Sequence, residues 1–221
     1  MTLSLDHLVV AARTLEEGAA WLDARLGVAT VPGGRHALMG THNRLLSLGS
    51  GAYLEIIAID PEAPPPGRAR WFGIDEPALQ AAVRVSPRLH HVVLRSPNIE
   101  MHRWGLVNLG LNPGLPLAAQ RETPEGPLSW RILVRDDGAI ECGAALPTLI
   151  EWQGRHPTAA MAPSPLQLVA VTMAGLPAPV RSLLRPRAVA MAERGAGGVD
   201  LLQVKLATPR GLVTLSTRSL S

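Results

Sequence analysis

The stretch "LDHLVVAARTLEE", Leu5 to Glu17, returns in altered form as "LHHVVLRSPNIEM", Leu89 to Met101. Leu5 answers to Leu89, His7 to His91, the apolar run from Leu8 to Val10 to that from Val92 to Leu94, and Leu15-Glu16 to Ile99-Glu100. Going from position 5 to position 89 gives a constant offset of 84, too long for a solenoid repeat and suited to a small duplicated module.

Outward from this pair the two copies continue alike. "TLEEGAAWLDARLG" and "NIEMHRWGLVNLG" each begin with an N-cap type, Thr14 or Asn98, carry acid in the first turn and end in glycine, Gly27 or Gly110. Their apolar positions (Leu15, Ala19, Leu22, Leu26; Ile99, Trp104, Leu106, Leu109) recur at roughly helical spacing. Strand-like segments follow: "RHALMG", "HNRLLSLG" and "AYLEIIAI" in the first copy, "LSWRILVR", "GAIECGA" and "PTLIEWQ" in the second, with "GSG" and "DDG" as tight turns. Each copy reads β-α-β-β-β, the first over residues 1–60 and the second over 88–155. Residues 61–87 form a proline-rich linker with a short helix expected from Pro77 to Val83. A third, degenerate copy is expected over 165–221: "LQLVAVTM", a helix from Pro177 to Leu184, then "RAVAMAERG", "LLQVKLATP" and "GLVTLSTR". It has Leu168 where the other copies have histidine, and its last strand holds no acid.

That loss matters because of Glu55. In "AYLEIIAID" both alternating residue sets are apolar or nearly so, which places the carboxylate in an enclosed setting. There it needs a cation, a donor network or a metal, since desolvating it alone costs several kcal/mol. Matching "YLEII" to "LIEWQ" sets Glu55 against Glu151. The His-to-Glu separations are then 48 (55 minus 7) and 60 (151 minus 91), and the extra dozen residues are expected in "NPGLPLAAQRETPEGP". His7, Glu55, His91 and Glu151 form a candidate set for a six-coordinate Zn, Ni, Co, Mn or Fe(II) ion with two positions left for water or substrate. The competing reading pairs Glu55 and Glu151 with arginines such as Arg44 or Arg131, as the polar floor of an organic-ligand pocket.

Other residues narrow the field. The 221-residue chain is 47% hydrophobic, ample for a core, and its single Cys142 excludes an intramolecular disulfide framework. Cys142 lacks a local base and is read as inert. Formal charge is only +3, arginines are scattered, and five of the seven aromatics are Trp, so a base-stacking nucleic-acid platform is not expected. No secretory or spanning segment is read, and a cytoplasmic protein is expected. In "GGRHALMGTHN", Gly33 and Gly34 allow close backbone approach while His36, Thr41 and Asn43 offer donors and acceptors to a substrate. Trp130 could wall a pocket, as could Trp152, and Arg131 is a further candidate contact. No Gly-Lys-Ser/Thr follows the glycines, so no nucleotide cofactor is expected. Asp6 is read as structural, and His90 as packing on the face opposite His91.

The βαβββ duplication, with His on the first strand and Glu on the last of each copy, resembles the vicinal oxygen chelate superfamily of glyoxalase I, extradiol dioxygenases and bleomycin-resistance proteins. Within it, "LDHLVVAARTLEEGAAWLDARLGV", "PGGRHALMGTHNRLLSLGSGAYLEIIAID" and "LPTLIEWQ" resemble uncharacterised glyoxalase-like proteins. The resemblance implies an α+β fold whose tandem modules form a cupped, mostly antiparallel sheet. It also implies a metal-dependent lyase or isomerase acting on a small oxygenated substrate between the modules. There Glu151 would remove a proton, and Glu55 would stay a ligand or return it. The alternatives are a metal-free binding or resistance protein, and an Fe(II) ring-cleaving dioxygenase using His7, His91 and Glu151. A homodimer is a further expectation.

Overall fold

A computed structural model describes residues 2–193 and 200–217. Of the strands expected in the third copy, Arg194 and Gly195 of "RAVAMAERG" and Arg218 of "GLVTLSTR" lie outside the described residues.

The first copy runs β1 (Ser4–Ala11), α1 (Leu15–Leu26), β2 (Val31–His36), β3 (Thr41–Ser47) and β4 (Tyr53–Ile59). The second runs β5 (Arg88–Arg95), α3 (Ile99–Asn108), β6 (Leu115–Arg121), β7 (Leu128–Val134) and β8 (Thr148–Gln153), with α2 (Pro77–Val85) in the linker. The helix signals act as read. Thr14 Oγ1 accepts from the Glu17 N–H and Asn98 Oδ1 from the Met101 N–H, while Gly27 takes the left-handed φ of 66° that closes α1.

All eight strands form one mixed sheet in the order β2-β3-β4-β1-β5-β8-β7-β6. β1 pairs parallel with β4, β5 parallel with β8, and β1 joins β5 antiparallel, so the repeated stretches themselves are the seam between the copies. The sheet curls until its two edge strands, β2 and β6, approach each other. Both edges carry a proline, Pro32 and Pro116, which a central strand would not accept.

Two expected strands and one expected loop turn out differently. "RHALMG" supplies only the end of β2, and residues 37–40 are a turn. β6 lies inside the stretch read as a loop, because "LPLAAQR" has a proline and no β-branched residue to announce it. "GAIECGA" is no strand but leads into a short helical turn, α4 (Glu141–Ala144), with Cys142 and Gly143 at positive φ. The extra length of the second copy therefore falls mainly between β7 and β8, residues 135–147, where the first copy needs only 48–52.

The third copy forms a second sheet, β10-β9-β11-β12, from β9 (Gln167–Ala174), β10 (Ala190–Ala192), β11 (Leu202–Thr208) and β12 (Gly211–Ser216), with α5 (Ala178–Leu184). Its apolar residues Val171, Met173, Val204 and Leu206 merge with Leu8, Val10, Leu54, Leu94 and the buried side of α1 and α3 into one cluster on the outer face of the large sheet. A separate apolar cluster fills the inner face: Val9, Ala11, Ile57, Val93, Trp130, Ile132 and Ile150, capped by the linker residues Trp71 and Phe72.

Candidate functional site

The inner face holds a cavity lined by His7, His36, Asn43, Tyr53, Glu55, Arg121, Trp130 and Trp152, and roofed by Trp71 and Phe72. It contains about 400 Å³ of empty space, mouth included. The first copy supplies most of the polar groups; the second copy and the linker together supply most of the aromatic and aliphatic wall.

β1 reaches the cavity through a bulge. The ladder to β5 passes from Leu5–Leu94 directly to His7–Val93, leaving Asp6 as the extra residue. Asp6 and His7, neighbours that would otherwise face opposite ways, thus turn to the same side, and their side chains bond at 2.7 Å through His7 Nδ1. Asp6 is wholly buried, and its second oxygen accepts from Arg95 Nε at 2.9 Å, Trp152 Nε1 at 2.9 Å and His156 Nε2 at 3.0 Å. Burial works against its charge, yet the hydrogen bonds and positive charge of His156 and His7 hold its carboxyl well below the usual range. Sequence reading took Asp6 as structural; the bulge that makes it the orienting partner of His7 left no signal in residue types.

Glu55 is reached by two donors. His7 Nε2 lies 3.4 Å from Oε2 and Asn43 Nδ2 lies 2.5 Å from Oε1. Asn43 is fixed in this sense because its Oδ1 accepts the Gly34 N–H at 2.7 Å. A Cβ at Gly33 would meet that oxygen at 2.0 Å, which is why glycine stands there. Burial would raise Glu55, but the hydrogen bond and charge of His7, with the Asn43 bond, win, and its pKa is lowered. Burial likewise opposes charge on His7, and its bonds to Asp6 and Glu55 overcome this, raising it to about 9. The pair is therefore an imidazolium facing a carboxylate, with Tyr53 stacked on the His7 ring at 4.7 Å.

His36 differs. Burial, with Arg121 and His7 adding to it against Glu55, lowers it to about 4, so it is neutral. Nδ1 donates to Thr41 Oγ1 at 3.0 Å, and Nε2 faces the Asn43 amide at 3.4 Å. Of the residues read as substrate contacts, His36, Asn43 and Trp130 line the cavity and Thr41 stands behind His36. Arg131 does not line it: it turns outward to Glu151, with Nε at 2.9 Å from Oε2.

The four histidine and glutamate positions are not brought together. His7 and Glu55 meet. His91 shares the inner face, but its Nε2 is occupied by the Thr148 hydroxyl at 2.9 Å and the Thr148 N–H at 3.2 Å, and the Phe72 ring lies against both His91 (5.4 Å) and His7 (6.4 Å). Glu151 faces outward, where it takes Arg131 and the Ile99 N–H at the start of α3, at 3.3 Å. Ile150 and Trp152 take the inner positions on β8. His90 also departs from expectation: it is the bulged residue of β5 and donates to the Phe72 carbonyl at 2.6 Å. Among the described residues no group of three or more His, Cys, Asp or Glu side chains is placed to hold a metal ion. Two facing donors fall short of the three protein ligands of a catalytic zinc centre, so this donor set does not fit the metal site that the family resemblance implies.

A family model for the glyoxalase-like domain matches residues 5–186. The chain belongs to the glyoxalase-like domain family. It is thereby a member of the vicinal oxygen chelate superfamily, as the repeat suggested. No curated protein matches it. Among solved structures, a hypothetical protein from Staphylococcus aureus aligns over 97% of this chain and 88% of its own, at 14% identity and a TM-score of 0.61. Methylmalonyl-CoA epimerase from Mycobacterium tuberculosis aligns over 72% and 92%, at 16% identity and a TM-score of 0.44. A hypothetical protein from Bacillus halodurans C-125 aligns over 74% and 100%, at 14% identity and a TM-score of 0.43. At these identities the likeness is one of fold. No helix among the described residues is long and apolar enough to cross a membrane.

Proposed function

We propose that this glyoxalase-like domain binds a small oxygenated compound in the inner cavity and moves a proton on it, as an isomerase or lyase, using Glu55 and His7 and not His91 or Glu151. The observation that carries this reading is the continuous chain Asp6–His7–Glu55–Asn43, buried and ending on an aromatic-walled cavity. Environments that push an acid and a base apart so that both are charged mark acid–base sites. The Glu55 carboxylate takes a proton from the carbon beside a substrate carbonyl; the electron pair moves onto the carbonyl oxygen, which accepts a hydrogen bond from His7 Nε2–H. With a 2-hydroxy carbonyl compound, passage of the hydroxyl proton to the enolate oxygen and delivery of the Glu55 proton to the former carbonyl carbon complete an isomerisation with no co-reactant. At 3.4 Å the His7–Glu55 contact is longer than a good hydrogen bond, so Nε2–H is available to an incoming oxygen. Asp6 holds the imidazole in place and supports its charge.

The test is solvent-deuterium incorporation at the α-carbon of a panel of small 2-oxo and 2-hydroxy carbonyl compounds, followed by NMR. Incorporation that disappears in Glu55→Gln, drops roughly 100-fold or more in His7→Gln, and is indifferent to chelator supports the reading. Activity that a chelator removes and a divalent ion restores would replace it with metal-dependent chemistry on His7 and Glu55. Compounds that bind without exchange would make the domain a binding protein.

A further inference from the structure

The inner cavity opens into a second, larger space. This outer groove, about 870 Å³ including its open side, is lined by Val31, Pro32, Gly33, Thr123, Glu125 and Arg155, and it shares Leu45, Arg121 and Pro157 with the cavity. Arg121, the last residue of β6, therefore stands at the junction. Its side chain crosses from one edge strand to the other: a Cβ at Gly34 on β2 would lie 2.6 Å from its Nη1, so the glycine lets the guanidinium lie flat on the strand. Arg121 makes no hydrogen bond or ion pair with any described residue, whereas Arg95, Arg131 and Arg135 are each tied to a carboxylate. Farther out, Arg155 Nη2 donates to the Gly126 carbonyl at 3.1 Å, and Thr123 Oγ1 to the same oxygen at 2.6 Å, which shapes the loop that forms the groove wall.

Charge is thus ordered along the path: a free guanidinium at the neck and the Glu55 carboxylate at the inner end. A ligand lying along it would carry its anion at the neck and a neutral head at Glu55, where a second negative charge would be repelled. From this we infer that Arg121 is a specificity residue that selects compounds bearing a carboxylate handle, with the proton-bearing carbon and its carbonyl held beyond it against Glu55 and His7. A planar carboxylate matches the guanidinium fork two bonds at a time. Glu125 on the same groove favours a singly charged handle over a phosphate dianion. The inference rests on the cavity being the ligand site of the proposed function.

Three of the five tryptophans, Trp71, Trp130 and Trp152, line the cavity, so binding is read from tryptophan fluorescence. The probes are a ladder of straight-chain and phenyl-bearing monocarboxylates, their primary amides and the matching alkyl phosphates, titrated into wild type, Arg121→Gln, Arg121→Lys and Glu55→Gln. The acids should bind roughly tenfold or more tightly than their amides, the range of a charge-assisted hydrogen bond. Arg121→Gln should remove that difference without changing amide affinity, Arg121→Lys should restore part of it, and Glu55→Gln should keep it. Equal affinity for acid and amide, no binding of either, tighter binding of the phosphates, or an acid preference that survives in Arg121→Gln would each overturn the inference. A preference for acids with no deuterium exchange anywhere in the panel of 2-oxo and 2-hydroxy carbonyl compounds would sustain it while defeating the proton-transfer reading, so the two fail separately. Coincident thermal melts of wild type and variants show that the fold is intact.

Discussion

Two residues that look equivalent in the sequence have different occupations in the fold. Glu55 is buried with an imidazolium and an amide on its oxygens; Glu151, its side chain 19% exposed on the outer face, holds the start of α3 and the Arg131 guanidinium. Glu151→Gln should therefore lower stability by about 1 kcal/mol, the worth of a partly exposed ion pair at a helix N-terminus, and leave α-proton exchange within about twofold of wild type. His91 gives the sharper comparison with His7. Its Nε2 accepts the Thr148 N–H, so His91→Leu should cost about 1–3 kcal/mol by urea titration for the orphaned donor, again with exchange retained. A variant as stable as wild type but without exchange would return His91 to the site.

The elements explain why one member of each pair was legible and the other was not. The seam strands, both helices with their caps, the linker helix and the general form of the third copy follow from local chemistry, because periodicity and capping act within a few residues. Register does not. Matching Glu55 to Glu151 by residue type puts β8 three residues out of phase with β4 (151 minus 148), and a slip by an odd number turns every side chain to the other face. In the observed ladders Val9 sits opposite Glu55 while Val93, its counterpart, sits opposite Thr148. The Asp6 bulge, the edge strand β6 with Arg121, and the Phe72 wedge at a left-handed φ of 60° were likewise invisible, each being set by partners far away in the chain. One packing feature can be tested directly. Gly18 lies inside α1, where alanine would ordinarily help by about 1 kcal/mol, but a Cβ there would stand 2.4 Å from Ile56 Cγ2 on β4 and 3.0 Å from Ala12 Cβ. Gly18→Ala should instead destabilise by about 1–3 kcal/mol, and Ile56→Ala in the same chain should show a coupling of opposite sign. Additive losses would mean that α1 is free to move off the sheet.

Across the whole molecule the site is also a joint. Asp6 on β1 collects Arg95 from β5, Trp152 from β8 and His156 beyond it, so the charge that orients His7 ties the two copies together. Stability should then follow the ionisation of this cluster. His7 is raised from 6.5 to about 9, so the native state holds its proton more tightly than the unfolded chain: this contribution is complete below pH 6.5 and is lost as pH rises through 9. Asp6 and Glu55 are lowered, so their contributions are complete above the ordinary carboxylate values and are lost as pH falls. His36, buried neutral and lowered to about 4, acts in the same direction: between pH 6.5 and 4 the unfolded chain takes up its proton and the native state does not. His91, held neutral by burial, adds to that acid limb. Tm measured by calorimetry should therefore peak near pH 6.5, fall gradually to pH 4 and steeply below it, and fall again from pH 7 to 9. His7→Gln should flatten the alkaline limb alone, and His36→Gln should flatten the acid limb between pH 4 and 6.5 while leaving the alkaline one intact. A Tm that still climbs above pH 8 in the wild-type protein would mean that His7 is neutral, and the imidazolium on which the proposed chemistry depends would be lost with it.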